Sequence, residues 1–216
     1  MYQPKHFEET RLDVLQGLVA SQPLSTLVTL SSAGLVADQI PMLLRANEGP
    51  MGTLVGHVAR ANPLWRETLL ETPVLVIFQG PQHYISPGWY PTKQEHGKVV
   101  PTWNYVVVQA RGLLRVHDDA DWVRQQASQI TDQQERGSAR PWAVDDAPRA
   151  YTDSMIQAVV GISIAVTHWA GKWKLSQNQP AINRDGVVQA LAGLQDESAA
   201  AMAALVTAHA PDRDRA

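Results

Sequence analysis

The chain has 216 residues, 44% of them hydrophobic, which is enough to bury a substantial core in one domain spanning 1–216. Its formal net charge is −3 and its basic residues are scattered, so it shows no electrostatic footprint for nucleic acid. The absence of cysteine excludes disulfides, thiolate catalysis and cysteine-ligated metals. Since no signal region and no apolar run of roughly 20 residues is present, we expect a cytoplasmic protein with no membrane partner.

The first predicted elements are an amphipathic helix and a hairpin. Apolar residues recur at helical spacing over 7–20, and Glu8-Glu9 fit the solvated first turn of that helix. β-forming residues over 24–30 and 35–45 flank a Ser-Ser-Ala-Gly turn, which predicts two antiparallel strands.

The rest of the chain predicts an alternation of strands and helices. The elements are a strand over 53–56, a helix from Asn62-Pro63 to about 70, a strand over 74–78 buried on both faces, an extended segment over 99–116, a helix capped by Asp118-Asp119 and reaching about 136, a helix over 151–159, a half-buried strand over 161–169, and a helical tail after Asp196 with a frayed end over 211–216. Six or seven strands bordered by helices predict an α+β fold that is mostly β, a small antiparallel barrel with helical additions.

Aromatic, hydroxyl, amide and cationic side chains are concentrated between Gly80 and Gly112. The members that suit a ligand best are Ser86, Trp89, Lys93, Thr102, Trp103 and Asn104. A core strand gains nothing from this mixture, whereas a pocket for a flat apolar ligand with polar anchors requires it. The segment therefore predicts a site for a planar, phosphorylated ligand.

A second candidate site lies between Gly56 and Trp65, where a strand leads into a helix. The helix N-terminus, the amide of Asn62 and the guanidinium of Arg60 together predict a phosphate seat. In the alternative interpretation, Asn62 only caps the helix and Arg60 is a surface charge. His57 beside them is either structural or functional.

Two lysines near the C-terminus form a third candidate. Lys172 and Lys174 are two apart on a predicted strand and point to the same face, which leads into Ser176-Gln177-Asn178. Such a cationic face suits an anionic group, and the alternative is an exposed edge strand kept soluble by lysine. Trp169 and Trp173 are predicted to pack in the barrel core or a dimer interface.

Common catalytic motifs are absent from the sequence. It contains no His-Glu-x-x-His, no carboxylate cluster, no Gly-x-Ser-x-Gly and no P-loop. We therefore expect no metal and an organic cofactor that supplies the chemistry.

Four segments together resemble the PaiB family of FMN-binding negative transcriptional regulators. They are Met1 to Phe7, Gly56 to Trp65, Gly80 to Tyr105 and Lys174 to Arg184, including Tyr-Ile-Ser-Pro-Gly-Trp-Tyr and Val-Pro-Thr-Trp-Asn-Tyr. The resemblance implies the FMN-binding split β-barrel known from pyridoxamine-phosphate oxidase. It also implies a homodimer with the flavin at the subunit interface.

The same resemblance implies which residues hold FMN. Arg60 takes the phosphate, the strand around Pro41 borders the isoalloxazine edge, and Trp103 with Asn104 approaches the ring or ribityl chain from the partner. The complete set is Gln39, Ile40, Pro41, His57, Arg60, Asn62, Ser86, Trp89, Lys93, Thr102, Trp103, Asn104, Lys174, Ser176, Gln177 and Asn178.

Three functions remain open at this stage. The first is an FMN-binding homodimer that uses flavin for redox chemistry or sensing; as an enzyme it would be a flavin-dependent oxidoreductase. The second is a transcriptional repressor that acts on DNA directly or through a partner, although the charge pattern does not support DNA binding. The third is a haem-binding split barrel, for which the candidate ligands are His57, His83, His96 and His168.

Overall fold

The structure is a computed structural model that describes residues 1–210, so the predicted frayed end over 211–216 lies outside the described residues. Eight strands form one sheet among these residues: β1 (Glu8–Glu9), β2 (Leu24–Ser31), β3 (Gly34–Pro41), β4 (Leu43–Arg45), β5 (Thr53–Ala59), β6 (Val74–Ile85), β7 (Thr102–His117) and β8 (Val159–Lys174). Their order is β3-β2-β6-β7-β8-β5-β4, and β1 pairs with β8.

Seven α-helices accompany the sheet in the described part of the chain. They are α1 (Leu12–Ser21), α2 (Leu64–Glu67), α3 (Lys93–His96), α4 (Ala120–Gln134), α5 (Arg149–Gln157), α6 (Ala181–Ala192) and α7 (Glu197–Ala208). Three further turns of 3-10 helix are Lys5–Phe7, Pro87–Trp89 and Val144–Asp146. Within residues 1–210, no helix has both the length and the apolar character needed to cross a bilayer.

The chain is organised in two compact units. The first unit contains Met1–Arg11, Gln79–Val108 and the described part of Ala170–Ala216; the second contains Leu12–Phe78 and Gln109–Trp169. The long strands β6, β7 and β8 each contribute residues to both units. One domain over 1–216 stays a prediction.

In the second unit, α4 lies on the sheet at a glycine. A Cβ on Gly161 would lie 2.3 Å from the indole of Trp122, so only glycine leaves room for this ring. The indole in turn stacks on His117, with ring centroids 4.0 Å apart. Asp119 begins α4 as predicted, because its carboxylate accepts from the backbone N–H of Trp122 at 2.7 Å.

In the first unit, the helix pair α6 and α7 packs together, and α6 also lies against the Pro87–Trp89 turn. A Cβ on Gly186 would lie 2.2 Å from the carbonyl oxygen of Trp89, so this contact also requires glycine. On the sheet, β1 pairs with the end of β8 through Glu8↔Lys172 and Glu9↔Gly171. These contacts fix the positions of the segments that contain the ligand-site candidates.

The predicted hairpin is confirmed, and so is the helix after Asp119. The hairpin register runs from Leu24↔Pro41 to Ser31↔Gly34, and 43–45 forms the separate strand β4. The tail after Asp196 is the predicted helix α7.

Four sequence-based predictions are wrong in detail. Glu8-Glu9 belong to β1 and not to a helix, because backbone pairing with β8 replaces the helical bonds. The helix after Asn62-Pro63 has only four residues. In 74–78 only alternate residues are fully buried, so one face is less covered than predicted. The strand 161–169 is more than half-buried, since Gly161–Ile164 are all buried.

Candidate functional site

A cavity of about 180 Å³ in the first unit brings five of the predicted residues together. These are Thr102 and Asn104 at the start of β7, Lys174 at the end of β8, and Ser176 and Asn178 just beyond it. The other lining residues are Phe7, Tyr90, Val100, Pro101 and Gln179. The structure therefore places the polar segments around 102 and 176 at one cavity.

Lys174 is the cation of this cavity. Its ammonium donates to Thr102 Oγ1 and to the backbone carbonyl of Trp103, both at 2.6 Å, and lies 5.8 Å from the centre of the Phe7 ring. Burial, and secondly the nearby charge of Lys172, lowers the pKa of Lys174. The edge-strand alternative for the two lysines is wrong, because β8 is bordered by β7 and is also paired with β1 at Glu8↔Lys172.

A buried amide and hydroxyl pair forms the wall of the cavity. Asn104 Nδ2 donates to Ser176 Oγ at 3.0 Å, and the Ser176 hydroxyl is 3.2 Å from Asn104 Oδ1. Ser176 has a φ of 65°, a left-handed conformation that is uncommon for a residue with a side chain. This bend turns the chain at the end of β8 and directs the next residues back to the cavity.

Gln177 does not line the cavity, although the sequence grouped it with its neighbours. Its amide donates to the Trp173 carbonyl at 2.6 Å and accepts from the Leu175 N–H at 2.7 Å. The side chain therefore holds the bend after β8. Trp173 and Trp169 are buried within the chain, consistent with the predicted core packing.

Tyr90 is the main residue that the sequence-based selection missed. It is 3% exposed, it lines the cavity, and its hydroxyl is buried without a hydrogen-bond partner in the described structure. Burial raises the pKa of this phenol, so the hydroxyl keeps its proton and remains a donor. The signal was available, since Tyr90 closes the Tyr-Ile-Ser-Pro-Gly-Trp-Tyr motif.

The other candidates of the aromatic segment lie outside the cavity lining. Ser86 accepts from the Gly88 N–H at 3.1 Å and begins the 3-10 turn that contains Trp89. Lys93 begins α3 and is exposed. Trp103 is 54% exposed and makes an edge contact with Tyr84, with centroids 6.0 Å apart. Trp103 therefore presents aromatic surface outside the cavity.

In the second unit, Arg60 already has an anionic partner. Its Nη2 donates to Asp118 at 2.7 Å and to the Val159 carbonyl at 3.1 Å, and its Nε donates to the Gln157 carbonyl at 2.7 Å. The hydrogen bond to Asp118 raises the pKa of Arg60 and lowers that of Asp118. A phosphate at Arg60 would have to share the guanidinium with this carboxylate.

Asn62 makes two local contacts at the start of α2. Its Oδ1 accepts from the Leu64 N–H at 2.8 Å, and its Nδ2 donates to Asp38 at 2.9 Å. Asn62 and Asp38 line a second-unit cavity of about 430 Å³, and Glu67 is also in its lining. Two carboxylates in the lining, together with a helix of only four residues, do not favour an anion at this position.

The remaining second-unit candidates lie on β3 and β5. Gln39 donates to Thr26 across the hairpin at 2.9 Å, Ile40 is buried and Pro41 is exposed. His57 Nδ1 lies 2.7 Å from Oε1 of the fully buried Gln126. His57 is therefore oriented by α4.

Among residues 1–210, no hydrogen bond links the other histidines considered as haem ligands to one another. His83 Nδ1 lies 2.6 Å from the Tyr84 carbonyl, and His96 Nδ1 accepts from the Lys98 N–H at 3.0 Å. His168 is exposed on β8. None of the three lines the cavity around Lys174.

Proteins of similar sequence and structure are known. An uncharacterised protein of Emericella nidulans is 30% identical over 250 residues, covering 100% of both chains. The protease synthase and sporulation protein PAI 2 of Bacillus subtilis is 29% identical, covering 95% of this chain and 96% of the relative, and it confirms the resemblance to the PaiB family.

Among solved structures, the FAD and haem binding protein from Mycobacterium smegmatis aligns with a TM-score of 0.55 at 20% identity, covering 77% of this chain and 73% of that one. This likeness confirms the predicted α+β split-barrel fold class. Because the family model described as "Putative FMN-binding domain" matches residues 1–168, the chain belongs to that family of FMN-binding domains.

Proposed function

We propose that this chain binds FMN and uses the flavin for redox chemistry or for sensing a small ligand. The observation that carries the proposal is the convergence of Thr102, Asn104, Lys174, Ser176 and Asn178 on one cavity. Membership of the FMN-binding domain family supports the same cofactor. A polar, cationic wall beside exposed aromatic surface is what a flat ligand with a polar chain requires.

The residues present fit a flavin in chemical type. The described cavity lining offers an ammonium, hydroxyls and amides and no carboxylate, so it suits the oxygen-rich part of the cofactor. The exposed indole of Trp103 suits the flat ring. When bound, the flavin would supply electron or hydride transfer, and the side chains would hold and orient it.

The proposed assembly is a cytoplasmic homodimer in which Pro41 and Trp103 of opposite subunits approach the ring. The family resemblance and the exposure of both residues support it. Light scattering on the purified chain tests the assembly and should give twice the chain mass, whereas a monomer at all concentrations contradicts it.

Visible absorption spectroscopy tests the cofactor. The purified chain is saturated with FMN, the excess is removed, and the spectrum is compared with that of the untreated chain. We expect a retained flavin spectrum near one chromophore per chain. A blank spectrum, together with no heat of FMN binding in calorimetry, would contradict the proposal.

Two variants separate the phosphate and ring contacts. Arg60→Ala should weaken FMN more than riboflavin, because only FMN has the phosphate, and equal losses would remove the role proposed for Arg60. Trp103→Ala should weaken both flavins alike. The remaining proposed contacts are Gln39, Ile40, His57, Asn62, Ser86, Trp89, Lys93 and Gln177.

A regulatory role is the second candidate, favoured by the relation to the sporulation protein PAI 2. A gel shift with the DNA upstream of the gene for this chain, competed with random DNA at several salt concentrations, tests whether the protein binds DNA directly. If random DNA removes the shifted band as readily as unlabelled upstream DNA does, the binding is only nonspecific, and regulation through a partner is favoured.

Haem is the third candidate, favoured by the name of the mycobacterial structure. Titration with haem followed by absorption spectroscopy tests it, with His57→Ala as the matched variant. A flat titration without a Soret band would remove haem from consideration.

A further inference from the structure

Tyr90, which lines the cavity around Lys174, has a buried hydroxyl that no described residue satisfies. Tyr90 is almost fully buried, and its hydroxyl has no hydrogen-bond partner. An unsatisfied buried polar group costs about 1 to 3 kcal/mol, so this hydroxyl calls for a partner such as an ordered water, an ion or a ligand. Because burial raises the pKa of the phenol, the hydroxyl keeps its proton and can donate to a hydrogen-bond acceptor.

Positive charge also remains available at the same cavity. The Lys174 ammonium has three donor hydrogens, and its described hydrogen bonds go to Thr102 Oγ1 and the Trp103 carbonyl. Both acceptors are uncharged, in contrast to the carboxylate that pairs with Arg60. Lys172 adds a second positive charge close enough to influence Lys174. The described lining has no carboxylate that would neutralise them.

The size of the cavity limits the ligand. Its volume of about 180 Å³ is below the roughly 300 Å³ at which pockets for drug-sized ligands begin. The cavity therefore has room for a carboxylate or phosphate group, and a flavin bound here would extend beyond it. Hydroxyls of Thr102 and Ser176 provide further polar contacts at its wall.

We propose that this cavity binds a small oxyanion, a carboxylate or phosphate group, between the Tyr90 hydroxyl and the Lys174 ammonium. Water could satisfy the tyrosine but would leave the lysine without an opposite charge. An oxyanion supplies an acceptor to both groups and forms the stronger, charge-assisted hydrogen bond with the ammonium.

The oxyanion has two sources that the structure treats alike. It is either the phosphate of FMN, in which case this cavity and not Arg60 holds that phosphate, or a separate small acid that binds beside the flavin. The chemistry of the site is the same in both cases, and the site does not depend on the flavin. Failure of FMN binding would therefore leave this proposal standing, and its own failure would leave FMN binding standing.

Thermal unfolding with increasing sodium phosphate, and separately sodium acetate, tests the proposal at constant ionic strength. Binding to the native chain raises Tm with the logarithm of one plus the ratio of anion concentration to Kd, so the dependence of Tm on anion concentration gives an apparent Kd. We expect at least one of the anions to bind the wild-type chain. Lys174→Met should raise that Kd about tenfold, the loss typical of a charge-assisted hydrogen bond.

Tyr90→Phe and Lys98→Met complete the set. Tyr90→Phe removes only a hydroxyl without a protein partner, so the chain should fold normally and the Kd should rise about threefold. Lys98→Met removes an exposed charge outside the cavity lining and should leave the Kd unchanged. Equal Tm responses in the wild-type chain and in Tyr90→Phe and Lys174→Met, or no response to either anion, would overturn the proposal.

Competition with flavins then identifies the source. If FMN displaces phosphate and riboflavin does not, the oxyanion is the cofactor's phosphate. If the chain binds FMN and phosphate together, the oxyanion belongs to a separate small acid. Both results require the oxyanion site and support it.

Discussion

Arg60 and Lys174 show how the neighbours of a cation decide what it can bind. The carboxylate of Asp118 already pairs with Arg60, and this hydrogen bond raises the pKa of the guanidinium. Lys174 instead contacts two uncharged oxygens and lies close to Lys172, so that burial and repulsion lower its pKa. An anion would relieve the repulsion at Lys174, whereas at Arg60 it would compete with a carboxylate.

Gly161 gives a prediction at the residue scale. Gly161→Ala should lower the free energy of unfolding by about 2 to 3 kcal/mol, because the new Cβ would lie 2.3 Å from the ring of Trp122 and force α4 from the sheet. Urea denaturation measures the loss. A change in the near-ultraviolet circular dichroism of the tryptophans should accompany it.

Gly17→Ala is the matched control for the same substitution. Gly17 lies in α1 with nothing within 4 Å of the position of a Cβ. Alanine there should stabilise the chain by about 0.5 to 1 kcal/mol, since it favours the helix. If both variants changed stability alike, the close contact between Gly161 and Trp122 would not be the cause.

At the scale of elements, α2 shows how long-range pairing overrides a local helix signal. Asn62-Pro63 begins the helix, but Thr68 leaves it to form a bridge with Ser31. The backbone N–H of Leu69 then donates to the Leu30 carbonyl at 2.8 Å. Because these partners on β2 satisfy the backbone, the helix ends after one turn and not near residue 70.

The N-cap of α4 gives a prediction at this scale. Asp119→Ala should lower the free energy of unfolding by about 1 kcal/mol, because the Trp122 N–H would lose its acceptor. Asp119→Asn should retain most of the stability, since the amide oxygen can accept the same bond. Urea denaturation of the two variants measures both free energies of unfolding. Equal losses of stability would show that the charge of Asp119, and not its hydrogen bond as a cap, is responsible.

At the scale of the whole molecule, Glu9 links stability to pH. The hydrogen bond from the Arg11 side chain lowers the pKa of Glu9, although burial opposes this shift. A carboxyl group with a lowered folded-state pKa stabilises the fold above its unfolded pKa, about 4.3. That contribution is lost as pH falls through the lowered pKa.

Glu9→Gln should therefore lower the free energy of unfolding at neutral pH by about 1 kcal/mol, a modest value because Arg11 is mostly exposed. The difference from the wild-type chain should shrink as pH falls below about 4. Chemical denaturation at several pH values measures both. Glu95→Gln, which alters an exposed glutamate in α3, should show neither effect.

The amino-acid sequence by itself determined the features whose partners are close in the chain. The hairpin of β2 and β3, the Asp119 cap and the family motifs depend on residues a few positions apart, and all are recognisable from the sequence. The segments around 102 and 176 also had the side chains of the cavity. Contacts between residues that are close in the chain depend on the local residue types, so a single sequence is enough to predict them.

Only the tertiary structure decided the features whose partners are distant. Glu9 pairs with Gly171, Arg60 bonds to Asp118, and Tyr90 meets Lys174 at one cavity, although each pair is separated by more than 50 positions. The helical spacing over 7–20 predicted a helix where Glu9 pairs in a strand. The sequence around Arg60 gave no sign of its partner, because Asp118 is distant in the chain. Burial and long-range hydrogen bonds depend on which segments the fold brings together, and a local pattern contains no information about them.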